Sequence, residues 1–97
     1  MIRIENRRRS TWVFEAWKSV GKEGGPLAHD HENDLVIGDM ANTPEVMKSH
    51  GAVYSRRCPP PVVTVPKARI DAMTPADRQV FDALVKAGEF QITAVAA

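Results

Sequence analysis

Thr74-Pro75-Ala76-Asp77-Arg78-Gln79-Val80-Phe81-Asp82-Ala83-Leu84-Val85-Lys86-Ala87-Gly88 carries every signal of one helix. The Thr74 hydroxyl can accept an orphan backbone N–H, and Pro75 suits the first helical position because the N–H it lacks would have had no partner. Asp77 lies in the first turn, where a carboxylate complements the helix dipole. Val80, Phe81, Leu84 and Val85 form one apolar stripe, and Gly88 stands where a C-cap glycine is expected. These signals predict a helix from Pro75 to about Ala87. The same signals recur upstream. Thr43-Pro44-Glu45 opens and Gly51 closes a two-turn helix over about Pro44 to His50, with Lys48 and His50 suiting its C-terminal end.

Strand patterns surround the two helices. Ile2 and Ile4 alternate with Arg3 and Glu5, and Asn6-Arg7-Arg8-Arg9-Ser10 reads as a polar turn. Trp12, Phe14 and Ala16 then share one face of a second strand, with Val13 and Trp17 on the other. Together they predict an N-terminal hairpin with a five-residue loop. Val13, Ala16, Trp17 and Val20 also fit a helical stripe, but β-branched and aromatic content favours the strand. Leu35-Val36-Ile37 predicts a short strand before Gly38-Asp39, and Val62-Val63-Thr64-Val65 another before Pro66. Phe90, Ile92 and Ala94 alternate in a last one. The expected fold is α+β: a small single domain over residues 1–97, with about five or six short, mostly antiparallel strands and two short helices.

Two stretches fit neither pattern. Residues 21–34 read as a long polar loop in which only Leu27 and Ala28 are apolar enough to enter a core. Loops of that length in small domains usually carry function. Residues 56–61, Arg56-Arg57-Cys58-Pro59-Pro60-Pro61, read as an extended, polyproline-like connector. Arg57 through Pro66 suits an edge segment or a groove ligand, or a device that blunts sheet-edge aggregation.

Composition narrows the function classes. The chain has 97 residues, 43% hydrophobic and 26% charged, which is ordinary for a globular domain. Seven prolines and six glycines imply many turns. A single cysteine, Cys58, excludes an internal disulfide. The start lacks a secretion signal and no stretch is long and apolar enough to span a membrane, so a cytoplasmic origin is expected. Net charge is only +1, against the strongly basic balance of a dedicated nucleic-acid binder. The charge is unevenly spread. Six basic and three acidic side chains fall in residues 1–25, one and five in residues 26–50, and six and four in residues 51–97. Such blocks can orient copies against one another or neutralise each other within one fold.

Candidate chemistry is sparse. His29-Asp30-His31-Glu32 places two imidazoles at i and i+2, which can point the same way on extended backbone, and Asp34 or Asp39 can add an oxygen. His50 and Cys58 are the other available ligands, and no Cys-x-x-Cys or His-Glu-x-x-His spacing is present. The favoured reading is a solvated acidic loop with surface histidines and no metal. The alternative is a metal-binding protein, or a metal-dependent enzyme, built on His29 and His31. Arg56 and Arg57 can lower the Cys58 pKa, but Pro59-Pro60-Pro61 removes the local amides an oxyanion hole needs, so a structural thiol is expected. Phosphate-loop, dinucleotide and nucleophile-elbow motifs are absent. Arg7-Arg8-Arg9 beside Trp12 and Trp17 suits either a solvated turn or an acidic protein surface, including residues 30–39 of a second copy, better than nucleic acid.

Ile2-Arg3-Ile4-Glu5-Asn6-Arg7, Leu35-Val36-Ile37-Gly38-Asp39 and Asn42-Thr43-Pro44-Glu45-Val46 together resemble segments of the small accessory virion proteins of tailed bacteriophages. The resemblance covers about a quarter of the chain and implies a structural role in the head or neck, as a capsid decoration or joining protein. The expected function is therefore non-enzymatic, without cofactor. Its partners are other protein subunits in a homo- or hetero-oligomer, possible capsid or neck proteins among them. The expected location is the virion, after synthesis in the host cytoplasm. A small inhibitor or adaptor of a host complex, similar to anti-CRISPR proteins, is the alternative. The expected contact residues are Arg7, Arg8, Arg9, Trp12, Trp17, His29, His31, Arg56 and Arg57, since Trp and Arg combine large contact area with directional polar groups.

Overall fold

Ile4 is 0% exposed: its strand is flanked on both edges and its side chain packs in the core. The computed structural model describes residues 1–21 and 24–95. In chain order these form β1 (Ile2–Asn6), β2 (Trp12–Phe14), β3 (Trp17–Ser19), β4 (Leu27–His29), a 3₁₀ turn (His31–Asn33) and β5 (Leu35–Ile37). After these come α1 (Pro44–Ser49), β6 (Val62–Val65), α2 (Lys67–Asp71), α3 (Pro75–Lys86) and β7 (Phe90–Ala94). The architecture is α+β, with seven short strands in small antiparallel sheets among the described residues. No helix among them is long and apolar enough to cross a membrane.

The first sheet has the order β6-β1-β7, with Ile4 opposite Val63 on one side and Ile92 on the other. The expected hairpin between β1 and β2 does not form. Two long-range partners satisfy both edges of β1, which a hairpin would do for only one. β2 instead pairs with β5, Phe14 opposite Leu35. The expected second strand also ends early, at Phe14. Beyond it the Glu15 N–H donates to Asp77 Oδ2 at 2.9 Å and the Ala16 N–H to Asp34 Oδ1 at 2.8 Å. Carboxylates take these two N–H groups, Ala16 keeps only an isolated antiparallel bridge to Met73, and a new strand starts at Trp17.

Residues 21–34 are not a loop throughout. Leu27–His29 pairs with β3, Trp17 opposite His29 and Ser19 opposite Leu27, and a 3₁₀ turn follows. Residues 22–23 of that stretch lie outside the described residues. Leu27 does not enter the core: it is 66% exposed.

Both capped helices form where the sequence places them. Thr43 Oγ1 accepts the Val46 N–H and Thr74 Oγ1 the Asp77 N–H. α3 buries Phe81 and Leu84, while Val80, expected on the buried stripe, faces solvent and Val85 is half-buried. α2 is an additional element that opens after Pro66 and buries Ile70.

The core gathers Phe14, Phe81 and Phe90, their ring centroids 5.5 to 6.1 Å apart and steeply inclined. Edge-to-face pairs of this kind contribute about 0.5–1.5 kcal/mol beyond area burial. Ile4, Leu35, Ile37, Val65, Ile70, Met73 and Leu84 complete it. The proline connector is tied inward. The carbonyl of Pro60 accepts the Gly38 N–H at 2.8 Å, and that of Pro61 the Asn6 N–H at 2.9 Å. Prolines that cannot donate serve here as acceptors for neighbouring segments.

Candidate functional site

β3 and β4 form a two-stranded ribbon that pairs with no third strand among the described residues. Every residue of β3 is exposed, and Trp17, Val20 and Leu27 all present apolar surface to solvent. Trp17 and Leu27 also line an open groove of about 490 Å³ with Ala72, Met73 and Pro75 from the α2–α3 junction. Backbone bonds extend the ladder at both ends, Asp30 N–H to the Ala16 carbonyl at 2.8 Å at the root and Val20 N–H to the Pro26 carbonyl at 2.8 Å toward the tip.

A cluster of His29, His31 and Asp34 sits at that root, one ligand atom from each lying within 4.8 Å of the others. His29 Nε2 stands 2.9 Å from Asp34 Oδ1, and His31 Nδ1 stands 3.9 Å from Asp34 Oδ2. The two imidazole centroids are 3.9 Å apart, and the His29 ring lies 5.4 Å from that of Trp17. The Asp34 side chain is 6% exposed and that of His31 72%, so the cluster runs from the interior to solvent. The i, i+2 spacing of the histidines does bring them together. His31, however, opens the 3₁₀ turn rather than continuing the strand, and that turn swings Asp34 back toward them. Asp39 takes no part; its carboxylate accepts the Ala41 N–H at 2.8 Å.

Asp30, between the histidines, has a separate role. An amide hydrogen bond from Asn33 holds its carboxyl below the ordinary value, against the opposing effect of burial, and the Lys18 charge at 3.9 Å adds to the lowering. Nothing in the sequence distinguishes Asp30 from its acidic neighbours until the 3₁₀ turn brings Asn33 onto it.

The other expected contact residues are scattered. Arg7 hydrogen-bonds Gln91, and Arg8 pairs with Glu89 at 3.2 Å, so part of the basic turn is fastened to β7 and the residue before it. Arg9 is exposed. Trp12 packs on the core, its ring 6.4 Å from Phe14 and 6.3 Å from Phe90, whereas Trp17 lies on the ribbon. Arg56 donates to the His31 carbonyl, which joins the connector to the histidine turn. The Arg57 N–H donates to Ser55 Oγ in the local turn. Cys58 is half-buried in that turn. Between these pieces runs an open cleft of about 500 Å³ bordered by Glu32, Arg56, Arg69 and β6.

No family model matches the chain, and no curated protein or solved structure matches it either.

Proposed function

We propose that the protein is a non-enzymatic structural subunit that assembles with further copies of itself through the β3–β4 ribbon. The observation that carries this reading is the exposure of Trp17, Val20 and Leu27 on a ribbon whose outer edges have no strand partner among the described residues. Open edges present rows of N–H and C=O groups that template pairing with another chain, and an isolated two-stranded ribbon is marginal in water. Charge supports a second copy as the occupant. The basic turn is bonded to Gln91 and Glu89 rather than to the acidic 30–39 segment, leaving Arg9 and Glu32 both exposed. Opposite blocks on one molecule suit contact between copies. A virion of a tailed bacteriophage, as decoration or joining protein, is the setting that the resemblance of the Ile2–Arg7, Leu35–Asp39 and Asn42–Val46 segments implies.

Sedimentation over a concentration series tests the reading. The expected result is a concentration-dependent oligomer that Leu27→Ser weakens with unchanged circular dichroism. Burying a leucine side chain is worth about 1.5–3 kcal/mol, so the loss is about ten- to a hundredfold in affinity. A wild type that stays monomeric throughout, or a Leu27→Ser variant that associates equally well, overturns it.

A further inference from the structure

We propose that His29, His31 and Asp34 form a binding site for one divalent transition-metal ion of the zinc class. The inference is independent of self-assembly and rests on three observations. First, donor spacing fits. Zinc holds nitrogen and carboxylate oxygen at about 2.0–2.2 Å, which sets neighbouring ligand atoms roughly 3.3 Å apart in a tetrahedron. The ligand atoms of the three residues all lie within 4.8 Å of one another, and His31 Nδ1 already stands 3.9 Å from Asp34 Oδ2, so side-chain rotations close the set. Second, the scaffold is already fixed. Asp34 Oδ1 accepts the Ala16 N–H at 2.8 Å, which orients the carboxylate and leaves Oδ2 for an ion. Arg56 holds the His31 backbone carbonyl from the connector. Outer bonds of this kind orient the ligands of metal sites. Third, donor chemistry selects the ion. Two imidazoles and one carboxylate suit zinc, cobalt or nickel, whereas calcium and magnesium take oxygen donors.

Three protein ligands leave a fourth position, on the exposed His31 side, for water or an external ligand. The site also has a place in the fold. His29 belongs to the ribbon and Asp34 directly precedes β5, so the ion clasps the ribbon to the core.

The test uses protein made without a polyhistidine tag, stripped with chelator, and titrated with Zn²⁺ by calorimetry and with Co²⁺ by visible absorption. The expected result is one saturable ion per chain, with the strong visible bands of tetrahedral Co²⁺ and protection of ribbon amides from exchange. His31→Ala should weaken binding by at least about tenfold, since loss of even an outer-shell partner costs 10–100-fold. Asp34→Asn keeps an oxygen to accept the Ala16 N–H while replacing the other with a non-ligating amide, so it separates ligation from folding. It should fold and lose the ion, and His50→Ala should bind as wild type does. Absence of saturable binding to the wild type overturns the proposal. So does wild-type affinity in folded His31→Ala or Asp34→Asn protein, or an equal loss in His50→Ala.

Discussion

The side-chain amide of Asn6 donates to the carbonyl oxygen of Gly38 at 2.8 Å, joining the end of β1 to the end of β5 across 32 residues of sequence. The same nitrogen donates to the Ser10 carbonyl at 2.7 Å, while Oδ1 accepts the Arg8 N–H at 2.9 Å. Its backbone N–H reaches the Pro61 carbonyl. One side chain that is almost wholly buried thus satisfies three backbone groups, and its position holds three segments together.

Asn6→Ala leaves those groups without their partner. Each buried polar group left unpaired costs about 1–3 kcal/mol, so a loss of about 3 kcal/mol is expected. In a domain of this size that lowers Tm by more than about 10 °C, measurable by thermal unfolding.

Asn6→Asp adds a pH signature. Oxygen then replaces the nitrogen that faces two carbonyl oxygens, so the folded carboxyl is raised above its unfolded value of about 3.9. A raised group contributes its stability below the unfolded pKa and loses it as pH rises through the folded pKa. The deficit against wild type is therefore smallest in acid and grows toward neutral pH. Denaturant midpoints at pH 4 and pH 7 check the sign, and a deficit that grows in acid refutes it.

Gly38 is fixed by space rather than by backbone angle. A Cβ built there falls 1.7 Å from the Pro59 carbonyl oxygen and 2.6 Å from its carbon. Because the obstacle is backbone, Gly38→Ala should cost at least the upper end of the roughly 1–3 kcal/mol typical of overpacking. Gly51 is the contrast, with φ +69° and open space around its Cβ position. Gly51→Ala should cost only about 1 kcal/mol, from its left-handed conformation alone. Urea unfolding of the two variants gives the comparison.

How much of this was legible depends on how local the cause is. Thr43-Pro44 and Thr74-Pro75 announce α1 and α3 because a cap, its proline and its first turn are neighbours in sequence. The partners of β1 are 57 or more residues away, and no short-range signal selects them over the adjacent Trp12–Phe14 segment. β4 offers only Leu-Ala-His, too short for alternation to register, and α2 opens behind Pro66 with no capping side chain. The histidine pair was visible as a spacing. That Asp34 rather than Asp39 joins it depends on the 3₁₀ turn, whose Asn33 N–H bonds the Asp30 carbonyl at 3.1 Å.

The two caps should differ in consequence although their chemistry is the same. Thr74→Ala removes the bond to the Asp77 N–H at the head of a helix that buries Phe81 and Leu84. It should lower global stability by about 1 kcal/mol. α1 buries only Met47, so Thr43→Ala should act mainly through local fraying, seen as faster amide exchange at Val46 and Met47 with a smaller change in global midpoint.

Asp30 makes the last case, because its causes can be separated by mutation. The Asn33 amide is the largest influence, and it lowers the carboxyl pKa from the ordinary 3.8. A depressed carboxyl contributes stability above its unfolded pKa and loses it as pH falls through the folded value. The contribution of Asp30 is thus complete at neutral pH and is lost progressively as pH falls below about 3.8 toward the lower folded value. Asn33→Ala should move the carboxyl midpoint upward, read by NMR titration in chelator-treated protein. Lys18→Gln should move it less, because Lys18 acts from 3.9 Å with a side chain 61% exposed, where water screens its charge. High salt should reproduce the effect of Lys18→Gln and leave that of Asn33→Ala in place. A midpoint that follows Lys18 and salt while ignoring Asn33 would make the ion pair, not the amide, the cause.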